Sequence, residues 1–288
     1  MVVWVLSASY SVMGMVRLWE RMDHVAESRL DRRFVLLRHP PDATCDEVAR
    51  LDDLMPSREG YPVPRHCRLG VVTVGMPRAG STLQMKMIFK LLGEKFTEEK
   101  VKKAYWDLFK HVVMEPKKME AHIQFHHKFL STLPEDVVFV TKTHEYKPQL
   151  AKLCKRTVIV SIRRNLTETA SSMLTAKWMG PQSLGSFLEA SINRHRCWNR
   201  HEETIDVDYA KLVQDPLTFM RRFVISSAID VPDSLVQNVV AQVAAEEANP
   251  DIPGGTALDI TELDTAMRTI TNFSIVSNFQ RKFGYQVL

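Results

Sequence analysis

The chain has 288 residues, 45% of them hydrophobic, with a formal net charge of +4 and a pI near 8.8. This length allows one large domain with a substantial core, and no Pro/Gly/Ser-rich linker divides the chain. The basic residues are spread rather than grouped in blocks, so the charge pattern does not indicate a nucleic-acid-binding protein. The sequence contains no internal repeat, which excludes repeat architectures.

The N-terminal region begins with a continuous apolar stretch, VVWVLSASYSVMGMV, at residues 2–16. The stretch follows no basic region and is shorter than the roughly 20 residues that a membrane-spanning helix needs. We therefore favour a buried segment or a tail, with a membrane anchor as the alternative. Residues 18–66 mix charges with prolines and predict an irregular cap. Residues 1–67 are expected to belong to the same folding unit as residues 68–288.

The stretch VVTVGMPRAGSTLQMKMIFKLLG at residues 71–93 predicts a buried strand, a glycine-bounded loop and a helix whose first turn carries two hydroxyls. Gly75 and Gly80 keep the spacing of a triphosphate-binding loop, but Ser81 occupies the position where that loop needs a lysine. Arg78 and the free N–H groups at the start of the helix can still bind a phosphate. The pattern therefore predicts a site for a nucleotide 5′-phosphate rather than for a metal-bridged triphosphate.

A long segment with helical periodicity follows, with predicted helices at residues 81–92, 98–113 and 116–131. The histidines at residues 122–127 have no accompanying acid at a diagnostic spacing, so we predict no metal site. The aromatic residues of this segment either form an acceptor pocket or belong to the core. They are Tyr105, Trp106, Phe109, Phe125 and Phe129.

The next predicted strand lies in VVFVTKTHEYKP, residues 137–148, and runs into Lys142, Thr143 and His144. In an open parallel sheet the carboxyl ends of the strands face the ligand crevice, so Lys142 and His144 are expected beside the phosphate loop. Histidine titrates near neutral pH and can accept a proton there, which makes His144 the predicted general base. The adjacent Glu145 is the alternative base.

A third segment, RTVIVSIRRNLTETASSML at residues 156–174, again predicts a strand followed by a helix, with Asn165 at the helix N-cap. Arg164 and Ser172 are expected to converge on a second anion, the arginine as a bidentate donor and the serine as a hydroxyl donor. Arg163 is expected to point elsewhere, because consecutive side chains of an extended chain lie on opposite sides.

The predicted strands alternate with helical segments along the chain. This alternation predicts an α/β fold with a central parallel sheet and helices on both faces. The predicted strands are residues 70–75, 137–141, 157–162 and 204–208, and further helices are predicted at residues 216–228 and 233–247.

These segments resemble motifs of the PAPS-dependent sulfotransferases, where PAPS is 3′-phosphoadenosine 5′-phosphosulfate. PRAGST at residues 77–82 is similar to the family's 5′-phosphosulfate loop, PKSGTT, with Arg78 in place of the lysine. Residues 142–144 match the Lys-Thr-His motif that contains the family's base. Arg164 and Ser172 keep the register of the family's 3′-phosphate motif, and Val-Asp-Tyr at residues 207–209 is similar to a later strand end of the family.

The resemblance implies a P-loop-like fold and transfer of a sulfuryl group from PAPS to a hydroxyl or amine of a small-molecule or glycan acceptor, leaving PAP. It implies no metal ion. It implies catalytic roles for Arg78, Lys142 and His144. The implied PAPS-binding residues are Arg78, Ala79, Gly80, Ser81, Thr82, Arg164, Ser172 and Tyr209.

The sequence also departs from the family pattern at its C-terminal end. The family's loop Arg-Lys-Gly-x-x-Gly-Asp-Trp, which closes over the 3′-phosphate, is not present, and the stretches at residues 253–256 and 281–284 do not match it. The short dimerisation motif of the family is not found either, so the resemblance implies no oligomeric state. The alternatives are a P-loop metabolite or nucleoside kinase and a related protein that binds PAP or PAPS without turnover.

The cysteines and the N-glycosylation sequons of the chain indicate the cellular compartment of the protein. The cysteines at positions 45, 67, 154 and 197 show neither CxxC pairs nor the tight spacing of small secreted scaffolds, so reduced structural thiols are expected. The sequons at Asn165 and Asn272 would accept glycans in a lumen, where a glycan at Asn165 would obstruct the second anion site. These features favour a cytoplasmic protein. A Golgi membrane protein is the alternative, because many Golgi sulfotransferases have an N-terminal anchor.

Overall fold

The computed structural model describes residues 43–52, 67–96, 101–105, 137–152, 154–176, 180–247 and 260–287. The apolar stretch at residues 2–16, the histidines at residues 122–127 and the predicted pocket residues from Trp106 to Phe129 lie outside these segments. What the sequence predicts for them therefore stays a prediction.

The described residues form a sheet of five parallel strands in the order β2-β3-β1-β4-β5. The predicted strands and their parallel arrangement are confirmed, and with them the α/β fold class. The bounds are β1 Leu69–Gly75, β2 Val101–Tyr105, β3 Val138–Thr143, β4 Arg156–Arg163 and β5 Thr204–Asp208.

β2 corrects one prediction from the sequence. A helix is predicted over residues 98–113, which is wrong for Val101–Tyr105. This strand pairs with β3, from Val101 beside Val138 to Tyr105 beside Lys142. Helical periodicity is a weak local signal, and pairing with the edge of a neighbouring strand overrides it in a segment this short.

In the described segments, α-helices follow β1, β4 and β5, and a 3-10 helix follows β3. The helix α3, Leu166–Thr175, shows how local sequence starts a helix. The Asn165 side chain accepts hydrogen bonds from the N–H groups of Thr167 at 2.9 Å and Glu168 at 3.3 Å. Within the described segments, no helix has the length and apolar character needed to cross a bilayer. The helices are α1 Cys45–Asp52, α2 Ser81–Phe96, α3 Leu166–Thr175, α4 Pro181–Trp198, α5 Tyr209–Gln214, α6 Pro216–Ser227, α7 Asp233–Glu247, α8 Ile260–Arg268 and α9 Phe273–Lys282, with a 3-10 helix at Pro148–Lys152.

Both faces of the sheet are covered, as the alternation of elements predicts. Successive side chains of β1 enter different apolar clusters, with Val71 on one face and Val72 on the other. The larger cluster packs the sheet against α2, α3, α6, α7 and the first half of α4. The smaller one packs it against α1, the 3-10 helix and the C-terminal end of α4. The sheet is therefore a rigid layer whose strand ends position the loops that follow them.

Two disulfides correct the expectation of reduced thiols. Cys45 of α1 is bonded to Cys197 of α4, and Cys67 is bonded to Cys154, which leaves no free cysteine. The sheet register brings the second pair together. Leu69 of β1 lies beside Arg156 of β4, and Cys67 and Cys154 come two residues before Leu69 and Arg156, respectively. Sequence spacing does not reveal this pairing, since the bonded cysteines are 152 and 87 residues apart along the chain.

Candidate functional site

The candidate site lies where the order of the strands reverses. The chain places β3 on one side of β1 and β4 on the other, so the loops after these three strands share one edge of the sheet. Ligands of open α/β sheets bind outside the carboxyl ends of the strands at such a reversal. The predicted site residues other than Tyr209 follow or end these three strands, and Tyr209 follows β5 next to β4.

The loop after β1, residues 75–80, is shaped by its two glycines. Gly80 has φ +92°, and a Cβ there would lie 2.3 Å from Cδ2 of the Tyr209 ring. A Cβ at Gly75 would lie 2.7 Å from the carbonyl oxygen of Ile162. Arg78 also has a positive φ, 62°, without being a glycine. The loop therefore needs glycine for its conformation and for close packing against β4 and α5.

The start of α2 presents backbone donors at the loop. The N–H of Gln84 donates to the carbonyl of Gly80, so the N–H groups of Ser81, Thr82 and Leu83 precede the first intrahelical hydrogen bond. Ala79 is different, because its N–H donates to the carbonyl of Met76 at 3.1 Å within the loop. Of the implied PAPS-binding residues, Ser81 and Thr82 therefore have backbone N–H groups that precede the first helical bond, whereas the N–H of Ala79 is bonded within the loop.

Lys142 and His144 lie beside this loop, as the sequence predicts. Lys142 Nζ donates to Thr82 Oγ1 at 2.9 Å. His144 is 5% exposed, and its Nδ1 lies 2.7 Å from the carbonyl oxygen of Gly75. Because a carbonyl oxygen only accepts, Nδ1 carries the proton, and the neutral ring has its lone pair on Nε2. This is the tautomer that a base acting through Nε2 requires.

The second predicted anion site meets the same loop. Arg164 donates to the carbonyl of Arg78 at 3.2 Å and to Glu168 Oε2 at 2.9 Å. Its guanidinium lies 4.4 Å from the centre of the Tyr209 ring, a stacking contact that fixes the orientation of the side chain. Arg78 Nε donates to Ser172 Oγ at 3.1 Å. Arg78 therefore lies against Ser172, on the side of the site that contains Arg164.

Arg163 and Glu145, which adjoin predicted site residues in the chain, have other partners. Arg163 Nη1 is 2.6 Å from Asp206 Oδ2 at the β4 and β5 side of the sheet, in line with the expectation that it points elsewhere. Glu145 is buried, with Oε2 3.4 Å from Lys147 Nζ.

Sequence reasoning missed a small cavity lined partly by polar side chains behind the loop. His144 lines one side of this cavity. Other lining residues belong to α4, whose sequence contains no recognisable motif. His195 of α4 is buried, with Nδ1 3.1 Å from Ser161 Oγ and Nε2 3.1 Å from Asn199 Nδ2. Only the packing of α4 on the sheet brings these groups together, so no local sequence signal identifies them. The lining residues are Gly75, Met76, His144, Ser161, Ser191, Arg194, His195 and Trp198.

Burial of His195 makes the stability of the protein depend on pH. Removal from water, opposed by Asp206 and assisted by Arg163 and Lys282, lowers the pKa of His195 from 6.5 to about 4. The unfolded chain binds this proton below pH 6.5 and the folded chain only near pH 4. Stability is therefore expected to fall by roughly 3 kcal/mol as the pH drops through this window.

Urea unfolding at pH 7 and pH 4.5 measures this loss. His195→Asn, which keeps an amide near Ser161 but does not titrate, is expected to lose less stability between the two pH values than the wild type. An equal loss in both proteins would show that other groups cause it.

The comparisons with known proteins give solved structures only. Neither a protein-family model nor a curated protein matches the chain. The chain is similar to retinol dehydratase in complex with androsterone and the inactive cofactor PAP, with 14% identity, coverage of 74% of this chain and 82% of that chain, and a TM-score of 0.47. It is similar to mouse sulfotransferase SULT7A1 complexed with PAP, with 14% identity, coverage of 78% and 79%, and a TM-score of 0.41.

A third similar structure is the sulfotransferase STF9 from Mycobacterium avium, with 12% identity, coverage of 98% of this chain and 88% of that chain, and a TM-score of 0.46. Two of these three structures are described as sulfotransferases, the family that the sequence motifs resemble. The activity proposed below rests on the residues of this chain.

Proposed function

We propose that the chain is a sulfotransferase that moves a sulfuryl group from PAPS to a hydroxyl or amine of an acceptor. The observation that carries this proposal is that two segments resembling the family's motifs contact a third, the loop after β1 and the first turn of α2. Lys142 and His144 bond to Thr82 and Gly75, and Arg164 bonds to the backbone of Arg78. A small-molecule acceptor is favoured, and a glycan is the alternative.

The donor chemistry of the site fits a nucleotide with phosphates at both its 5′ and 3′ positions. The N–H groups and the positive dipole end of α2 suit the 5′ group. Arg164 and Ser172 suit the 3′-phosphate, because a guanidinium and a hydroxyl both donate to phosphate oxygens. Glu168, the carboxylate bonded to Arg164, is 58% exposed in its side chain, so a phosphate can replace it as the partner of Arg164.

The transfer step follows from the histidine geometry. His144 takes the proton of the acceptor hydroxyl at Nε2 while the acceptor oxygen forms its bond to sulfur. The bond between sulfur and the bridging oxygen breaks, and PAP leaves with that oxygen. Lys142 neutralises the negative charge that develops on the sulfuryl and bridging oxygens. Glu145 is the alternative base, but its buried pairing with Lys147 disfavours it.

The bond of Arg78 to Ser172 supports a further role for this arginine. The resemblance implies a catalytic role for Arg78, and its Nε bond to Ser172 directs it towards the 3′ side. We therefore propose that Arg78 links the two anion sites, binding the 3′-phosphate through its side chain. Lys142 is then the cation at the reacting end.

The rival functions need different chemistry. A P-loop kinase needs a lysine on the β- and γ-phosphates and an acidic residue for Mg²⁺, but Ser81 replaces the lysine, and β3 runs into Lys142 rather than an acid. A protein that binds PAP or PAPS without turnover agrees with the altered C-terminal loop.

A transfer assay separates these functions. Radiolabelled PAPS is incubated with the protein and with hydroxylated steroids, phenols, sugars and alkaloids, and labelled ATP with Mg²⁺ is tested in parallel. We expect label to move from PAPS to at least one acceptor class. Transfer from Mg²⁺-ATP would identify a kinase, and PAP binding without transfer to any acceptor would identify a binding protein.

A further inference from the structure

We propose that Asn272 is N-glycosylated and that the chain folds in an oxidising lumen. The inference rests on the disulfides and on the turn before α9, and it does not depend on the proposed sulfotransferase activity. It also separates the two sequons of the chain, because Asn165 is not expected to carry a glycan.

The disulfides identify the compartment. All four cysteines of the chain are paired, and all four are buried in the fold. Disulfides persist in oxidising compartments and are rare in the cytosol, where thiols are kept reduced. The Cys67 and Cys154 pair also agrees with the register of β1 and β4, so it belongs to the native arrangement of the sheet. The structure therefore favours a lumen over the cytosol that sequence spacing favours.

The sequon at Asn272 lies on the surface of the folded chain. It occupies the turn between α8 and α9, with Phe273 55% exposed and Ser274 exposed as well. Buried Glu189 fixes this turn by accepting hydrogen bonds from the N–H groups of Thr271 and Asn272, both at 2.6 Å. A glycan at this position would extend into solvent from an ordered turn.

The hydrogen bonds of Asn272 are compatible with modification. Its Oδ1 accepts from the Ser274 hydroxyl at 2.7 Å and from the N–H of Ile275 at 3.1 Å, so this oxygen caps α9. A glycan is attached to Nδ2 and leaves Oδ1 as an acceptor. The modified residue therefore keeps the cap, and glycosylation does not require α9 to be disrupted.

Asn165 and Asn272 are both half-buried, but the residues that follow them differ in exposure. The middle residue of the sequon at Asn165, Leu166, is fully buried, and the Leu166 N–H faces Gln280 Oε1 at 3.5 Å. Asn165 also follows Arg164, so a glycan there would lie at the candidate anion site. The folded chain thus exposes the two residues that follow Asn272 and buries Leu166, which follows Asn165.

The modification is a displacement at the anomeric carbon of a lipid-diphosphate-linked oligosaccharide. This is the class of glycosyl donor that a lumen would have to supply. The Asn272 amide nitrogen forms the new bond to the anomeric carbon and loses one proton. The bond from that carbon to the phosphate oxygen breaks, and the lipid diphosphate leaves with the bonding electrons. No oxidant or reductant is consumed.

The test expresses the full chain, without an added secretion signal, in cultured animal cells and treats it with a peptide-N-glycosidase. We expect one glycan, seen as a mobility shift that the enzyme removes, with conversion of Asn272 to aspartate detected by peptide mass spectrometry. Ser274→Ala, which keeps the capping Asn272, is expected to abolish the shift. Ser274→Thr and Asn165→Gln are expected to keep it.

Three results would overturn the proposal: no shift in the wild-type chain, a shift that Ser274→Ala retains, or a shift that Asn165→Gln abolishes. A second expression with an added secretion signal identifies the reason for a negative result. Modification only in that second expression would show that the chain does not enter a lumen by itself, which also contradicts the proposal.

Discussion

His144→Ala is expected to lower the rate of sulfuryl transfer by about 10²–10⁴-fold, the usual contribution of a general base. The affinity for PAP should change little, because the proposed phosphate donors belong to α2, Arg78, Arg164 and Ser172. Turnover with saturating PAPS and acceptor, together with calorimetric titration of PAP, measures both quantities.

The control for this prediction is His144→Asn. The asparagine Nδ2 can replace the Nδ1–H that donates to the Gly75 carbonyl, so the variant keeps the structural hydrogen bond and lacks the base. Both variants are expected to lose turnover to a similar extent. Wild-type turnover in His144→Asn would assign His144 a purely structural role and leave Glu145 as the candidate base.

Gly80→Ala is expected to destabilise the fold by about 2–6 kcal/mol and to abolish PAP binding. A non-glycine residue at this positive φ costs about 1–3 kcal/mol. The new Cβ, 2.3 Å from the Tyr209 ring, costs about 1–3 kcal/mol more through overpacking. Thermal and urea unfolding measure the first effect, and calorimetry measures the second.

Two further variants separate these causes. Gly93→Ala lies in α2, the helix that follows Gly80, where a Cβ meets nothing within 4 Å, so it should be neutral or stabilising by about 0.5–1 kcal/mol. Gly80→Ala combined with Tyr209→Ala removes the ring that the new Cβ would strike but keeps the backbone cost. If Gly80→Ala were as stable as Gly93→Ala, the described loop geometry would be wrong.

The features that sequence predicts well are those set by local signals. The predicted strands that become β1, β3, β4 and β5 lie within one or two residues of their predicted bounds. The loop from Gly75 to Gly80 and the N-cap at Asn165 follow from residue types with specific backbone roles. Because parallel strands present their carboxyl ends together, these local predictions also bring Lys142 and His144 to the loop.

The features that sequence does not predict depend on which segments pack together. β2 becomes a strand because it pairs with β3, and the two disulfides form because α4 and the β1 and β4 pair bring distant cysteines together. His195 enters the cavity from α4 in the same way. The direction of the Arg78 side chain, towards Ser172, likewise depends on how α3 packs beside the loop.

The central claim is that one nucleotide is bound by both of its phosphates, one at the start of α2 and one at Arg164 and Ser172. Calorimetric titration of PAP and of adenosine 5′-phosphate, with wild type and Arg164→Ala, tests it most directly. The exposed Arg268→Ala serves as a control with the same change in charge.

We predict that the wild type and Arg268→Ala bind PAP about 10- to 100-fold more tightly than adenosine 5′-phosphate, the gain expected from charge-assisted hydrogen bonds to a second phosphate. Arg164→Ala should lose most of this preference while keeping its affinity for adenosine 5′-phosphate. Equal binding of the two nucleotides by the wild type would contradict the account.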